Sequence, residues 1–168
     1  ILVEFTKIGE ELETVFMSGP SEFIYEGEIW QQPATMIEIR RRIINNIKNH
    51  ALKDAPKEAC GILVGKNSKV EEIYECKNSS ESPETNYVIA PSDLLTTLED
   101  LEKESNDIIG FYHSHPTGPD KPSSIDIDRA TWEDHSYVIV SISDKLSISS
   151  WKFQRETNKF AREEIKII

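Results

Sequence analysis

The strongest constraint in this sequence is an apolar run that ends in two closely spaced histidines. Residues 108–112 read Ile-Ile-Gly-Phe-Tyr, which predicts a buried strand, and His113 and His115 follow directly. Because side chains alternate between the two faces of a strand, residues two positions apart lie on the same face. The spacing therefore predicts two imidazoles side by side at the end of a buried strand.

A turn and a helix start follow the histidines. Residues 116–122 are rich in proline and glycine, and Ser123 with Asp126 three positions later has the spacing of a helix capping box. If the turn brings the helix start back over the strand end, Asp126 meets the two histidines. Two nitrogens and one carboxylate oxygen make a three-ligand zinc site with a position open to water, as in catalytic zinc sites. The Ser-x-x-Asp motif alone is more often an ordinary helix cap.

A carboxylate further upstream supports the catalytic interpretation. Glu58 stands at the start of an apolar, glycine-bounded strand, residues 60–65. The combined order of a glutamate, His-Ser-His-Pro, six residues and Ser-x-x-Asp resembles the JAMM metalloprotease family, the catalytic class of MPN domains. The resemblance covers residues 34–168, the predicted catalytic domain, and leaves residues 1–33 unexplained. It implies an α+β fold with a mixed β-sheet flanked by helices.

The resemblance also implies a reaction. The ligands of a Zn²⁺ ion would be His113, His115 and Asp126. Glu58 would act as the general base, and the Ser123 hydroxyl would donate a hydrogen bond to the oxyanion. Family members cut peptide or isopeptide bonds after the C-terminal glycines of ubiquitin or ubiquitin-like modifiers. The implied substrate is therefore a ubiquitin-like or sulfur-carrier protein with a C-terminal Gly-Gly.

Two other functions stay open at this point. One is a small-substrate hydrolase that releases an amino acid from the tail of a sulfur-carrier protein. The other is a non-catalytic MPN scaffold, a class that lacks one or more of the catalytic groups. Every motif position is present in this sequence, which favours an enzyme over a scaffold.

The composition describes an ordinary globular protein and excludes some partners. Of the 168 residues, 38% are hydrophobic and 29% are charged, with a net charge of -11. An acidic surface disfavours nucleic acid and anionic membranes, which both need a basic surface. No apolar run approaches the ~18 residues that a membrane helix needs. We therefore expect no nucleic-acid or membrane partner and a cytoplasmic location.

Short apolar segments broken by glycine and proline predict a β-rich extension in residues 1–33. The candidate strands are residues 1–6, 12–17 and 22–30. Three roles are open for this extension. It packs against the main domain with a purely structural role, it contacts a partner or substrate, or it is part of a neighbouring domain, and the sequence does not choose among these.

Hydrophobic periodicity predicts the elements of residues 34–168. The predicted helices cover residues 39–51, a segment from Ser92, and a segment from Ser124 to about His135. The predicted strands are residues 60–64, 70–76, 87–90, 108–115, 137–142 and 146–153, with an edge strand or hairpin in 154–168. The polar loop 77–86 is either the rim of a substrate groove or a plain surface connection.

The remaining histidines and the two cysteines have no place in the predicted site. His50 lies near a helix end, and His135 is expected to be exposed and not a ligand. Antiparallel pairing of the hairpin sets Cys60 opposite or next to Cys76, so a cross-strand disulfide is geometrically possible. Cytosolic disulfides are rare, which argues against one here.

Overall fold

The computed structural model describes residues 35–102 and 105–168 with their side chains, and the backbone of residues 2–8 and 11–18. The chain divides into two compact units, Ile1–Ala34 and Thr35–Ile168. In the first unit, β1 (Leu2–Ile8) and β2 (Glu11–Ser18) pair antiparallel. These two predicted strands are confirmed, and the third, residues 22–30, lies outside the described residues.

The second unit is built on a mixed sheet that closes into a barrel. The strand order around the barrel is β3-β5-β4-β6-β7-β8-β9, and β9 pairs with β3 to close it. The strands are β3 (Met36–Ile39), β4 (Cys60–Lys66), β5 (Lys69–Cys76), β6 (Asp107–His115), β7 (Ser136–Ser141), β8 (Ser147–Gln154) and β9 (Lys159–Ile167). The predicted α+β class with a mixed sheet is confirmed, while its closure into a barrel was not expected.

The last strand differs from its prediction. For residues 154–168 an edge strand or a hairpin was predicted. The edge strand is wrong, because β9 pairs with β3 on one side, while its antiparallel pairing with the preceding strand β8 is that of a hairpin. Polar and apolar residues alternate over the last part of β9, Glu164 to Ile167, and this pattern is typical of a strand with one solvated face. Alternation of this kind does not distinguish an edge strand from one that closes a barrel.

Three helices accompany the barrel: α1 (Arg41–Asp54), α2 (Pro91–Leu101) and α3 (Ser124–Arg129). Helix α1 buries an isoleucine face that includes Ile43 and Ile47 against strand residues such as Ile37 and Ile39. This face has the four-residue spacing from which the helix was predicted. Among the described residues, no helix has the length and apolar character that crossing a bilayer requires.

Two predicted elements are shorter than expected. Helix α3 ends at Arg129, because Ala130 takes an extended conformation and Asp134 has a left-handed φ of 61°. The predicted strand over residues 87–90 is reduced to one bridge between Ile89 and Asn78. The short apolar stretch Tyr87-Val88-Ile89 therefore belongs to a loop that packs on the barrel and not to the sheet.

The β4–β5 hairpin has the predicted register. Cys60 pairs directly with Cys76 across the two strands, and both cysteines are buried free thiols. The two cysteines are therefore cross-strand neighbours, as predicted, and they do not form a disulfide.

Candidate active site

The two motif histidines stand at the carboxyl end of β6, a strand that pairs with β4 on one side and β7 on the other. His113 and His115 are 1% and 7% exposed. Their Nε2 atoms lie 3.0 Å apart, as expected for two side chains on one face of a strand.

Helix α3 brings the carboxylate to the histidines. Asp126 Oδ1 lies 3.2 Å from His113 Nε2, and Asp126 Oδ2 lies 3.4 Å from His115 Nε2. Ser123 Oγ accepts a hydrogen bond from the Asp126 amide, and Asp126 Oδ2 accepts one from the Ser123 amide. The predicted capping box is therefore confirmed, and it holds Asp126 toward the strand end.

The turn between strand and helix is held by the barrel. Ser141 Oγ on β7 donates to the Gly118 carbonyl at 2.6 Å. Trp151 Nε1 on β8 donates to the Asp120 carbonyl at 3.1 Å, and Ser149 donates to the same oxygen. These bonds between side chains and the backbone fix the path that returns α3 to the histidines.

The three donor atoms fit a tetrahedral metal site. One ligand atom from each of His113, His115 and Asp126 lies within 4.8 Å of the others. His113 Nε2 lies 3.0 Å from His115 Nε2 and 3.2 Å from Asp126 Oδ1, and both distances are close to the ~3.3 Å edge of a tetrahedron with zinc bonds of ~2.0–2.1 Å. The other ring nitrogen of His115, Nδ1, lies 2.7 Å from the Pro119 carbonyl oxygen. A donor Nδ1–H at this carbonyl leaves Nε2 free to bind a cation.

The charges of the cluster support this arrangement. Burial acts to raise the pKa of Asp126, but hydrogen bonds from His113 and His115 outweigh it and hold the pKa well below the usual range. Burial lowers the pKa of His113, which favours the neutral imidazole that binds metals. Burial acts to lower the pKa of His115, but hydrogen bonds with Asp126 and Pro119 outweigh it and raise that pKa. The cluster therefore combines an ionised carboxylate with a neutral imidazole at His113.

Glu58 is buried beside the cluster, just before β4, and only 5% of it is exposed. Burial raises the pKa of Glu58 from 4.5 to about 7, His115 opposes this rise, and Asp126 adds to it. Among the described residues, the group of candidate ligands includes the two histidines and Asp126 but not Glu58. A carboxyl group with a pKa near neutrality, outside the ligand set, is suited to proton transfer.

Ser123 is exposed at the start of α3, next to the cluster. Because its Oγ accepts the Asp126 amide hydrogen, the hydroxyl hydrogen is not used in the capping box. It can therefore point away from the helix, toward a bound substrate.

Sequence reasoning missed the contribution of the loop after β5. Tyr87 stacks on the His113 ring, with centroids 4.4 Å apart, and Asn78 donates to the Glu58 carbonyl at 2.9 Å. The polar composition of residues 77–86 left open a groove rim or a plain surface connection, and no local pattern identifies either contact. Both depend on the barrel, which brings the loop against β4 and β6.

An apolar groove opens beside Asp126. Its volume is about 360 Å³, and its walls include Val88, Leu94, Phe111, Ile125 and Trp132. Three of these side chains are partly exposed at the rim: Val88, Ile125 and Trp132. Arg129 Nη1 donates to Asn86 Oδ1 at 2.6 Å and links α3 to the loop. Of the candidate ligands, Asp126 lines this groove.

The other two histidines lie outside the metal cluster. His50 is buried, with Nδ1 2.9 Å from the Tyr112 hydroxyl. His135 is partly buried and not fully exposed as predicted, because its ring packs against Trp132 and Phe111. Neither belongs to the three-residue group of candidate ligands.

Comparison with known proteins identifies the family. A family model described as prokaryotic homologs of the JAB domain matches residues 40–154. The desampylase of Haloferax volcanii is 31% identical over 116 residues, which cover 68% of this chain and 84% of that protein. The CysO-cysteine peptidase of Mycobacterium tuberculosis is 32% identical over 111 residues, which cover 65% of this chain and 75% of that protein.

A solved structure agrees with these relatives. The solution structure of a protein from Desulfitobacterium hafniense has a TM-score of 0.71 and 29% identity, and the match covers 79% of this chain and 93% of that one. The matched family segment contains both halves of the motif, from Glu58 to Asp126. The chain therefore belongs to the prokaryotic homologs of the JAB domain, as a compact JAMM-type member.

Proposed function

We propose that this protein is a zinc-dependent peptidase or isopeptidase that cleaves after the C-terminal Gly-Gly of small ubiquitin-like modifier proteins. The observation that carries this proposal is the convergence of His113, His115 and Asp126 beside the buried Glu58. The relatives named desampylase and CysO-cysteine peptidase support it. The cytoplasmic location expected from the sequence stays a prediction.

The donor set favours zinc over other common metals. Two imidazole nitrogens and one carboxylate oxygen match the three-ligand sites of catalytic zinc, whereas magnesium and calcium prefer oxygen ligands alone. We assign His113, His115 and Asp126 as the ligands. When bound, zinc would supply Lewis acidity, which polarises a carbonyl and lowers the pKa of a water molecule to ~7.

Glu58 is assigned as the general base. Its carboxylate takes a proton from the attacking water and returns it to the nitrogen of the leaving amine. Burial raises the pKa of Glu58 above the ordinary range of a carboxyl group, which favours its acting first as acceptor and then as donor of the proton. Its burial excludes bulk water, which would compete for the same proton.

Ser123 is assigned as the oxyanion donor. Its hydroxyl is exposed at the start of α3, one turn from Asp126. A single donor of this kind typically contributes ~3–4 kcal/mol to lowering the barrier. The same oxygen caps the helix, so one residue positions the ligand and donates to the substrate.

The groove beside Asp126 is suited to the modifier tail. An extended peptide binds a groove through main-chain hydrogen bonds and pockets for its side chains, and the apolar walls would hold residues that precede the glycines. Next to the cluster, a side chain on the substrate would collide with Glu58 or with the start of α3. Glycine at the cleavage site avoids this collision.

A second candidate function is hydrolysis of a sulfur-carrier conjugate that releases a small molecule. The relative named CysO-cysteine peptidase favours it, and the same catalytic groups would serve both reactions. The two functions differ only in the leaving amine, which is a protein lysine in one and an amino acid in the other.

We further propose that residues 1–33 form an N-terminal extension and residues 34–168 the catalytic domain. The division of the chain into compact units at Ala34 supports this boundary. The family match starts at residue 40, inside the second unit.

The test is incubation of zinc-loaded protein with defined conjugates, with products read by mass spectrometry. Gly-Gly isopeptide conjugates and sulfur-carrier conjugates are compared with matched Ala-Ala conjugates, and Glu58→Gln serves as the inactive control. We expect cleavage of Gly-Gly conjugates only. Equal cleavage of Ala-Ala conjugates would overturn the tail specificity. Complete inactivity on every conjugate would favour a scaffold.

A further inference from the structure

One peptide group next to the proposed base is held by two side chains. The carbonyl oxygen of Glu58 accepts a hydrogen bond from Asn78 Nδ2 at 2.9 Å. The amide of Ala59, which belongs to the same peptide group, donates to Ser114 Oγ at 2.8 Å. This peptide precedes β4, which starts at Cys60, so its own strand ladder does not hold it.

Asn78 uses both ends of its side chain. Besides the Glu58 carbonyl, its amide nitrogen contacts the carbonyl oxygens of Asn86 at 3.0 Å and Pro83 at 3.4 Å. Its Oδ1 accepts hydrogen bonds from the amides of Ser80 and Val88. One partly buried side chain therefore joins both arms of the loop to the backbone of Glu58.

A second contact reinforces the link between the loop and the base. The Glu58 amide donates to the Pro83 carbonyl at 2.7 Å, and Asn78 contacts that same carbonyl oxygen. Both backbone polar groups of Glu58 are therefore bonded to the loop. The position of its Cα, and so the depth of its carboxyl group, depends on how well the loop is ordered.

The other end of the peptide is tied to the metal-binding strand. Ser114 lies between His113 and His115 and is 1% exposed, and its amide donates to the Ala59 carbonyl at 2.9 Å. Ser114 on β6 thus holds the backbone of Ala59, while Asn78 in the loop after β5 holds the backbone of Glu58.

We propose that Asn78 is a positioning residue that sets the location of the Glu58 carboxylate relative to the metal cluster. This inference rests on the proposed function. A displacement of ~1 Å at a reacting group can cost ~10²-fold in rate. We therefore expect that loss of the Asn78 hydrogen bonds lowers the rate of the chemical step. Binding of the substrate tail and of zinc uses other residues and remains.

Two substitutions at this position and one control test the proposal. Asn78→Ala removes all the side-chain bonds. Asn78→Asp keeps the size and the accepting oxygen, but it directs a second oxygen at three carbonyl oxygens. Ser80→Ala is the matched control, because Ser80 lies in the same loop and contacts Asn78, Asn86 and Ser82 but not the Glu58 peptide.

We expect both Asn78 variants to lower kcat by ~10- to 100-fold with KM within about three-fold of wild type. Zinc content is expected to stay at the wild-type level, and Ser80→Ala to keep kcat within about two-fold. Equal losses in Asn78→Ala and Ser80→Ala would assign the effect to general loop order and overturn the proposal. A change confined to KM would overturn it as well.

Amide hydrogen exchange at Glu58 gives a readout that does not need activity. We expect the Glu58 amide to exchange at least ~10-fold faster in Asn78→Ala than in wild type or Ser80→Ala, because its acceptor Pro83 is no longer held. Unchanged exchange would overturn the proposal. If the wild-type enzyme cleaves no conjugate, the proposed function fails, while the exchange data still decide whether Asn78 holds Glu58.

Discussion

Tyr87 stacks on the face of His113, with ring centroids 4.4 Å apart and ring planes inclined by 22°. His113 Nδ1 is buried and has no hydrogen-bond partner among the described residues. Histidine ligands are usually oriented by a hydrogen bond at the second ring nitrogen, as His115 is by Pro119. The orientation of His113 therefore depends on packing, and Tyr87 supplies a large part of it.

This stack leads to the first prediction. Tyr87→Ala should weaken zinc binding by ~10- to 100-fold, the usual effect of losing a residue that orients a ligand. Tyr87→Phe keeps the aromatic face and should bind zinc within about three-fold of wild type. Competition with a fluorescent chelator measures both affinities. Wild-type affinity in Tyr87→Ala would show that the stack has no orienting role.

The second prediction concerns the metal ligands. His113→Ala and Asp126→Ala should each lose nearly all zinc after dialysis, because two remaining ligands bind too weakly to retain it. His135→Ala is the matched control and should keep about one zinc per chain, since His135 is not among the candidate ligands. Metal analysis by mass spectrometry gives the stoichiometry. A full equivalent in both ligand variants would reject the site.

The third prediction separates the base from the oxyanion donor. Glu58→Gln should retain zinc and lose ~10²-fold or more in kcat, because the amide does not accept the proton. Ser123→Ala should lose ~10²–10³-fold in kcat and less in metal affinity. Ser124→Ala, at the next exposed position, is the control for changes at the start of α3. Full activity of Glu58→Gln would mean that another group is the base.

The fourth prediction uses the two buried thiols. Burial raises the pKa of Cys60 and of Cys76 from 9.0 to about 12. Because the folded-state pKa is the higher one, the stability linked to these thiols is complete below pH 9 and is lost as the pH rises toward 12. The free energy of unfolding should therefore fall as the pH rises above 9 in urea titrations.

The control is the Cys60→Ala/Cys76→Ala double variant, which should show a smaller fall over the same pH range. Thiol titration of unreduced, denatured protein should give two thiols per chain, as in the structure. A count of zero would mean that the pair forms a disulfide.

The fifth prediction concerns a close approach of two strands. A Cβ atom on Gly110 would collide with the Ser136 carbonyl on β7, so Gly110→Ala forces the parallel strands apart. We expect a loss of ~1–3 kcal/mol or more in the free energy of unfolding. At Gly118 a Cβ would meet the His115 side chain at an ordinary 3.5 Å. The free energy of unfolding of Gly118→Ala should therefore not fall, and it should rise by up to ~1 kcal/mol. Equal stabilities of the two variants would contradict this account.

Local sequence patterns predicted the spacing of the histidines and the capping box, and the family resemblance predicted that Asp126 meets the histidines. The spacing of His113 and His115 on a strand, and the capping box of Ser123 and Asp126, are local patterns whose geometry follows from backbone periodicity. The apolar repeat of α1 and the register of Cys60 with Cys76 followed from the same kind of evidence. Local geometry determines these features, so neighbouring residues suffice to predict them.

Only the tertiary structure decided what surrounds the ligands. Tyr87 reaches His113, and Asn78 reaches Glu58, because β4 pairs with both β5 and β6 and so brings the loop after β5 near both residues. The two-sided pairing of β9 was likewise set by its neighbours β3 and β8. Long-range contacts of this kind leave no periodic pattern in the chain, since each requires only that one side chain meet one distant partner.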